Sequence, residues 1–311
     1  MGSRFSFVVL HYLSYELTDM CVKSVINLRK RNSEFGVDII IVDNASNNGS
    51  FEQLKENYGH CNYIHFLHND VNLGFSKGNN IGYKYALNNC SPDFVVIINN
   101  DTIIEQLEFM KNTCHVYNET NAFVLGPDVV NRNGEHQSPM RMKARDRQEV
   151  EAAIYKMTPK CQQGGISDYA PLRLRLKWFC RDIMERLPMF QRLLRERERR
   201  LSIVRQRQRE HAAEDALLQG AALIFTPLFI RTGELPFVPE TFLYCEEDIL
   251  AIRCKHNGWH THYDPDIKII HLEDGSTDKL FVDDKEKALF INKHGLEAAQ
   301  VLLAYGDQRG W

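Results

Sequence analysis

The hydrophobic positions of this chain follow two alternating periods. Short runs rich in Val, Ile and Phe occur at 5–10, 37–42, 63–68, 94–98, 123–126, 220–225 and 267–270. Runs this short and this β-branched suit strands buried on both faces of a parallel sheet. Elsewhere the apolar residues return every three or four positions. Met20, Val22, Val25, Ile26 and Leu28 predict a helix over 18–30. Further helices are predicted from Gly49-Ser50 to Tyr58, from the end of a Gly/Asn-rich loop at 72–80 to Leu87, and over 105–117. Another runs up to Gly258, which serves as its left-handed cap, and two C-terminal helices cover 283–295 and 296–304. Pro127 to Pro139 reads as turn-rich. Strands alternating with helices imply an α/β fold: a Rossmann-like, mostly parallel sheet flanked by helices.

Two strands run directly into polar, acid-containing segments. Val95-Val96-Ile97-Ile98 meets Asn99-Asn100-Asp101, and the strand at 37–42 meets Asp43-Asn44-Ala45-Ser46. In a parallel sheet both ends lie on the edge where ligands bind, so Asp43 and Asp101 can line one cleft. An aspartate there can hold a divalent cation, and the cation a diphosphate. Capped turns are the plain alternative for either segment. Two such ends and the 72–80 loop on one edge favour a ligand site. No GxGxxG follows the first strand and no GxxxxGK[ST] occurs, so a metal must carry the diphosphate of any bound nucleotide.

A second concentration of chemistry is Phe242-Leu243-Tyr244-Cys245-Glu246-Glu247-Asp248. Three acids after an apolar run also suit a helix N-terminus, where carboxylates meet the positive end of the dipole. His271 ends the strand at 267–270, and the small residues Gly220-Ala221-Ala222 open another strand, where a ligand could approach the backbone closely. Cys254, His256, His260 and His262 are near neighbours but lack zinc-finger spacing.

Composition narrows the class. The 311 residues are 43% apolar and 25% charged with a net charge of −3, which suits a globular protein without bulk affinity for nucleic acid. No run of 18 apolar residues occurs, and the chain enters a strand at once, without a leader pattern. Eight cysteines without CxxC pairs read as buried free thiols, so a cytoplasmic location is expected. The charge is unevenly spread: 19 Lys/Arg and 8 Asp/Glu fall within 141–209. Leu172, Leu174, Leu176, Trp178, Phe179, Ile183, Met184, Leu187, Met189, Phe190, Leu193 and Leu194 interleave with these arginines. The pattern predicts a basic helical insertion, broken near Pro188, that lies peripherally on the inner face of an anionic membrane. The alternative is an insert packed on its own domain or on a second subunit of a homodimer.

Val42-Asp43-Asn44-Ala45-Ser46, Asn72-Leu73-Gly74-Phe75, Gly78-Asn79-Asn80-Ile81-Gly82 and Asn99-Asn100-Asp101 together resemble glycosyltransferase family 2, nearest its bacterial rhamnosyltransferase-like members. The likeness covers residue 5 to about 130 and resumes from Gly220 to about Thr277. It implies a GT-A fold, a nucleotide-sugar donor such as a dTDP- or UDP-sugar, and inverting transfer to a glycan or lipid-linked acceptor in surface polysaccharide synthesis. Under that resemblance Asp43 contacts the nucleoside, with Asn44 beside it. Asn72, Gly74, Gly78, Asn79, Asn80 and Asn100 shape the nucleotide pocket. Asp101, last residue of the DxD-type motif, holds Mn²⁺ or Mg²⁺ with His271. Glu247 is the base, with Asp248 the alternative, because the sequence reads Glu-Glu-Asp-Ile where relatives show E-D-x-D. Asn99 replaces a common Asp, so metal and donor are expected to bind together.

The expected organisation is a nucleotide-sugar-binding half (1–140), the basic insertion (141–215), an acceptor and catalytic half (216–280) and C-terminal helices (281–311). A nucleotidyltransferase would need a Gly-rich basic loop after the first strand, which His11-Tyr12-Leu13-Ser14 does not supply. A non-catalytic binding module would not need Asp101, the acid triplet and His271 together.

Overall fold

The computed structural model describes residues 2–161, 188–273 and 283–311. The strands are β1 Arg4–His11, β2 Gly36–Asp43, β3 Ile64–His68, β4 Phe94–Asn99, β5 Thr102–Ile103, β6 Val124–Asn131, β7 Ala213–Glu214, β8 Ala222–Phe225 and β9 Thr261–His271. The helices are α1 Tyr15–Arg31, α2 Ser50–Tyr58, α3 Gly74–Asn89, α4 Phe109–Thr120, α5 Arg147–Cys161, α6 Pro188–Arg209, α7 Pro227–Arg231, α8 Glu246–Asn257 and α9 Asp284–Arg309.

Among the described residues the strands form one sheet in the order β3-β2-β1-β4-β8-β6-β9-β5, with β7 against β9. β3, β2, β1 and β4 are parallel, as the alternation of elements predicted. β8 is antiparallel to both β4 and β6, and β9 runs parallel to β6. Alternate residues serve two cores. Phe5, Phe7, Val9, Ile39 and Ile41 pack with α1, while Val8, Ile40 and Val42 pack with Tyr83 and Ala86 of α3. Val95, Val96, Ile97 and Ile98 are at most 1% exposed. Burying side chains of this size stabilises by about 1.5–3 kcal/mol each, so packing fixes β4 and delivers its polar tail to the sheet edge.

α1 shows why these helices form where they do. Leu17, Cys21, Val22, Val25 and Leu28 make one buried stripe, Glu16 lies in the first turn, and Arg29, Lys30 and Arg31 lie in the last.

Several boundaries differ from expectation. The segment expected as a loop at 74–80 is the first two turns of α3. Gly74, at φ 76°, begins it, and the Phe75 amide bonds the Phe242 carbonyl at 2.7 Å. A Cβ on Gly74 would lie 2.3 Å from that carbonyl oxygen, so the close approach requires glycine. The turn-rich reading of 127–139 holds only from residue 132: β6 continues through Pro127 to Asn131, with a register shift at Pro127/Asp128. The helix expected from 105 starts at Phe109, because Thr102–Ile103 first pair with β9. The two expected C-terminal helices are one, α9, running unbroken through Gly295.

The flanks of the basic insertion have different surroundings. Val150 of α5 is fully buried against Ile249, Ala298, Ala299 and Leu302, so this part packs on its own domain. α6 exposes Leu201, Ile203 and Val204. The apolar positions from Leu172 to Leu187 lie outside the described residues, and no helix among the described residues is long and apolar enough to cross a membrane.

Candidate active site

The ends of β1, β2 and β4 share one edge, with His11 in register with Asp43 and Leu10 with Asn99. Past this edge, Asn99 N donates to Ala221 O at 2.9 Å, which brings the start of β8 against the polar tail of β4. On the other side Thr102 pairs with His271, and Leu272 N donates to Asp101 O at 2.8 Å. Three segments far apart in sequence therefore converge: 99–102, 220–222 and 271–272.

Asp101, which is buried, pairs with the partly exposed His271. Nε2 of His271 lies 3.3 Å from Oδ1 of Asp101, with side-chain exposures of 16% and 7%. The ring is oriented by Gln137, whose Oε1 accepts from Nδ1 at 2.9 Å, while its Nε2 donates to Glu273. Nδ1 is thus committed to the protein, and Nε2 is the atom that meets the carboxylate. Ligand bonds of about 2.0–2.2 Å place neighbouring ligand atoms about 3 Å apart, so this spacing suits two ligands of one cation. An oxygen-plus-imidazole pair suits Mn²⁺ better than Mg²⁺, which prefers oxygen alone. Among the described residues, the cluster of three ligand types with atoms within 4.8 Å is elsewhere: Asp38, His65 and Cys90, at the opposite edge of the sheet. There Asp38 already pairs with Arg4 at 3.1 Å.

The acid triplet opens α8. Tyr244 and Cys245 precede it at φ 76° and 63°, a strained pair of left-handed residues of the kind that clusters at functional sites. The three carboxylates differ in what they meet. Glu246 is buried and accepts from Ser76 Oγ at 3.5 Å, beside Thr241; burial, then the charge of Glu247, push its carboxyl up to about 8. Asp248 is clamped by Arg145, whose Nη2 lies 2.5 Å and Nε 3.1 Å from it. Glu247 keeps partial exposure and its carboxylate lies against the Gly220 backbone, with no side-chain hydrogen-bond partner among the described residues. Its carboxyl is raised by burial first; Asp248 raises it further and Arg145 lowers it.

The residues expected to line the nucleotide pocket divide into supports and open groups. Asp43 is fully buried, accepts the Ser46 amide at 3.1 Å and lies 2.7 Å from Nδ1 of the half-exposed His68. Asn44 bonds Asn72, Gly74 O and Leu73 N, tying the end of β2 to the turn before α3. Asn72 also accepts the Gly74 amide at 2.9 Å. Gly78 packs on Leu10, and Asn80 makes two bonds to the backbone of Phe237. Asn79 is buried and donates to Phe75 O, but its Oδ1 has no partner. Asn100 donates to Thr18 Oγ1, which meets His11; that ring is buried between Thr18 and Ser50 and held neutral, its pKa lowered to about 4 by burial.

Sequence reasoning missed Gln137, Arg145, Ser76 and the His11–Thr18 pair. None has a local pattern. Each gains its role from a partner far away, 134 residues for Gln137 and 103 for Arg145.

Residues 6–171 match the family model described as glycosyl transferase family 2. The low-salt glycan biosynthesis hexosyltransferase Agl10 of Haloferax volcanii is 28% identical over 129 residues, 42% of this chain and 38% of that protein. The dTDP-rhamnosyl transferase RfbF of Shigella flexneri is 28% identical over 102 residues, 33% of this chain and 32% of that one. The aligned stretch thus spans a little over a third and about a third of those relatives' lengths. Among solved structures, mannosyltransferase PcManGT from Pyrobaculum calidifontis, in complex with GDP-Man and Mn²⁺, superposes with a TM-score of 0.51 at 11% identity, covering 100% of this chain and 77% of that one. S. aureus TarS 1-349 gives 0.50 at 14%, covering 98% and 71%. These likenesses establish the GT-A fold, and the family match establishes that the chain belongs to glycosyl transferase family 2.

Proposed function

We propose that the protein is an inverting glycosyltransferase that moves a hexosyl or rhamnosyl unit from a dTDP- or UDP-sugar to a hydroxyl of a glycan or lipid-linked acceptor, in surface polysaccharide assembly. The observation that carries this reading is the convergence of Asp101 and His271 with Glu247 around the ends of β4 and β8. The hexosyl and dTDP-rhamnosyl transfers named for the relatives support the sugar class.

Asp101 and His271 would hold Mn²⁺, or Mg²⁺, which when bound supplies charge stabilisation to the departing nucleoside diphosphate. Glu247 takes the proton of the acceptor hydroxyl as its oxygen attacks the anomeric carbon. The bond from that carbon to the diphosphate oxygen breaks, and its electron pair leaves with the nucleoside diphosphate. Attack from the face opposite the leaving group inverts the centre. Positioned base catalysis of this kind is worth about 10²–10⁴-fold. Asp248 serves the same site as the anchor of Arg145, and Glu246 as a buried neutral acid at neutral pH. The support residues around Asn44 and Asn80 hold the nucleotide edge rigid, which lowers the reorganisation needed on binding.

Exposed Leu201, Ile203 and Val204 on the arginine-rich α6 support a peripheral contact with anionic lipid on the cytoplasmic side. Incubation with Mn²⁺ and a panel of nucleotide sugars tests the reaction. Release of nucleoside diphosphate supports transfer. Release of inorganic diphosphate, or no product with any donor, would overturn it.

A further inference from the structure

Two open cavities lie beside the proposed centre and share Met140 and Arg209 in their walls. The nearer, about 410 Å³, includes Gln137, Gln219 and Glu273, so it touches both the partner of His271 and the residue before Gly220. The farther, about 660 Å³, gathers Arg141, Lys143, Arg205 and Arg209 with Met140 and Met142, and has no carboxylate among its described lining.

The cations there are held in different ways. Arg141 pairs with Glu149 at 2.5 Å. Arg209 is spent on backbone: Nε donates to Pro139 O at 3.0 Å and Nη1 to His136 O. Burial depresses its guanidinium, and Arg205 adds to that effect. Arg205 and Lys143 are exposed and have no acidic partner among the described residues. With Arg141 neutralised by Glu149, Lys143, Arg205 and Arg209 still repel one another across the cavity, and an anion bound between them would relieve that. Arg205 and Lys143, with uncommitted donors, match the several acceptor oxygens of a phosphate better than a single carboxylate.

We propose that this cavity is a phosphate-binding subsite for the acceptor, so that the physiological acceptor carries a phosphodiester or diphosphate group beyond the hydroxyl that is glycosylated. The proposal rests on the transferase reading for the word acceptor; the anion site itself does not. The smaller cavity is the passage between the two: the acceptor's sugar would sit near Gln137 and Gln219, and its phosphate near Arg205 and Lys143. Exposed Met140 and Met142 add an apolar wall next to the cations, which suits a chain or linker attached to that phosphate.

Calorimetric titration with sodium tripolyphosphate in EDTA tests this without the metal route. Wild type and Asp101→Ala should bind it alike, and Lys143→Glu/Arg205→Glu at least tenfold more weakly. Both altered side chains are exposed, so the double variant should melt with the wild type. No binding by the wild type up to about 1 mM, or equal binding by the double variant, overturns the proposal. A second arm uses vesicles of phosphatidylcholine with and without phosphatidylglycerol. Tripolyphosphate should compete with the anionic vesicles if the phosphate of a lipid enters the cavity. Soluble binding without vesicle binding points to a phosphate within a water-soluble chain. Vesicle binding that tripolyphosphate leaves unchanged, without soluble binding, places the anion contact elsewhere and contradicts the subsite. If no nucleotide sugar is turned over while tripolyphosphate binding is lost in the double variant, the transferase reading fails and the anion site stands.

Discussion

The carboxylate of Glu247 occupies the place where a side chain on Gly220 would begin: a Cβ built there would lie 2.1 Å from Oε1. Gly220 leads into β8, whose first residues lie against the end of β4, so this contact aims the acid at the edge that carries Asp101. Gly220→Ala should push the carboxylate aside, since it is the end of a flexible side chain and the glycine is not at positive φ. The fold should survive within a few degrees of melting temperature, while transfer falls by about 10²-fold or more. Unchanged turnover would remove Glu247 from the reaction.

The neighbouring acids should separate by readout. Glu247→Gln keeps the shape of the side chain against Gly220 and removes a carboxyl that burial penalises, so stability should be unchanged or raised while transfer falls about 10²–10⁴-fold. Asp248→Asn strips Arg145 of its charged partner. Breaking a buried pair of this kind costs about 3 kcal/mol, read as a shift in the urea midpoint. Should the Asp248 variant fold normally yet lack transfer, the two roles are exchanged.

Arg145 gives the pH profile of transfer a diagnostic. Burial and Asp248 raise the Glu247 carboxyl, and the Arg145 guanidinium opposes them. The acid limb of the rate should therefore lie above the usual glutamate range near 4.5. Arg145→Met removes the opposing charge and should move that limb to higher pH, with the plateau rate largely kept. A limb that stays in place would make Arg145 a purely structural clamp.

Stability should also depend on pH in a signed way. Glu246 titrates at about 8 in the fold against 4.5 when unfolded, so the folded state holds a proton that the unfolded chain gives up. Stability then falls as pH rises through that window. His11, at about 4 against 6.5, acts oppositely: the unfolded chain takes a proton that the fold refuses, so stability falls as pH drops from 6.5 to 4. The two offset below 6.5, and Glu246 acts alone above it. The urea midpoint of the wild type should decline from pH 6.5 to 8, and Glu246→Gln should flatten that decline.

The parallel half of the sheet could be read from the chain because both faces are buried, which leaves continuous Val and Ile runs at β1, β2 and β4. The start of α3 could not. Gly74, Ser76, Gly78, Asn79 and Asn80 have poor helix propensity and look like a loop, and tertiary bonds to Phe237 and Phe242 override that preference. The motif residues near Asn44 stood out, but their work as backbone supports emerges only with the partners in view. The antiparallel insertion of β8 had no local signal either; it follows from the return of the chain after the basic segment. The same holds for Gln137, within the stretch read as turn-rich, and for Arg145, which falls in the expected basic helical insertion but precedes α5; neither is marked by a local pattern.

The proposed role of Asp101 and His271 is to bind the donor's diphosphate through a metal at the site that Glu247 serves. Its most direct measurement is calorimetric titration of dTDP and UDP into wild type, Asp101→Ala and Glu247→Gln, with Mn²⁺ and with EDTA. The wild type should bind at least one of them tightly only with Mn²⁺, Asp101→Ala should lose that binding, and a transfer-inactive Glu247→Gln should retain it. Equal affinity in wild type and Asp101→Ala, or binding indifferent to Mn²⁺, would contradict it.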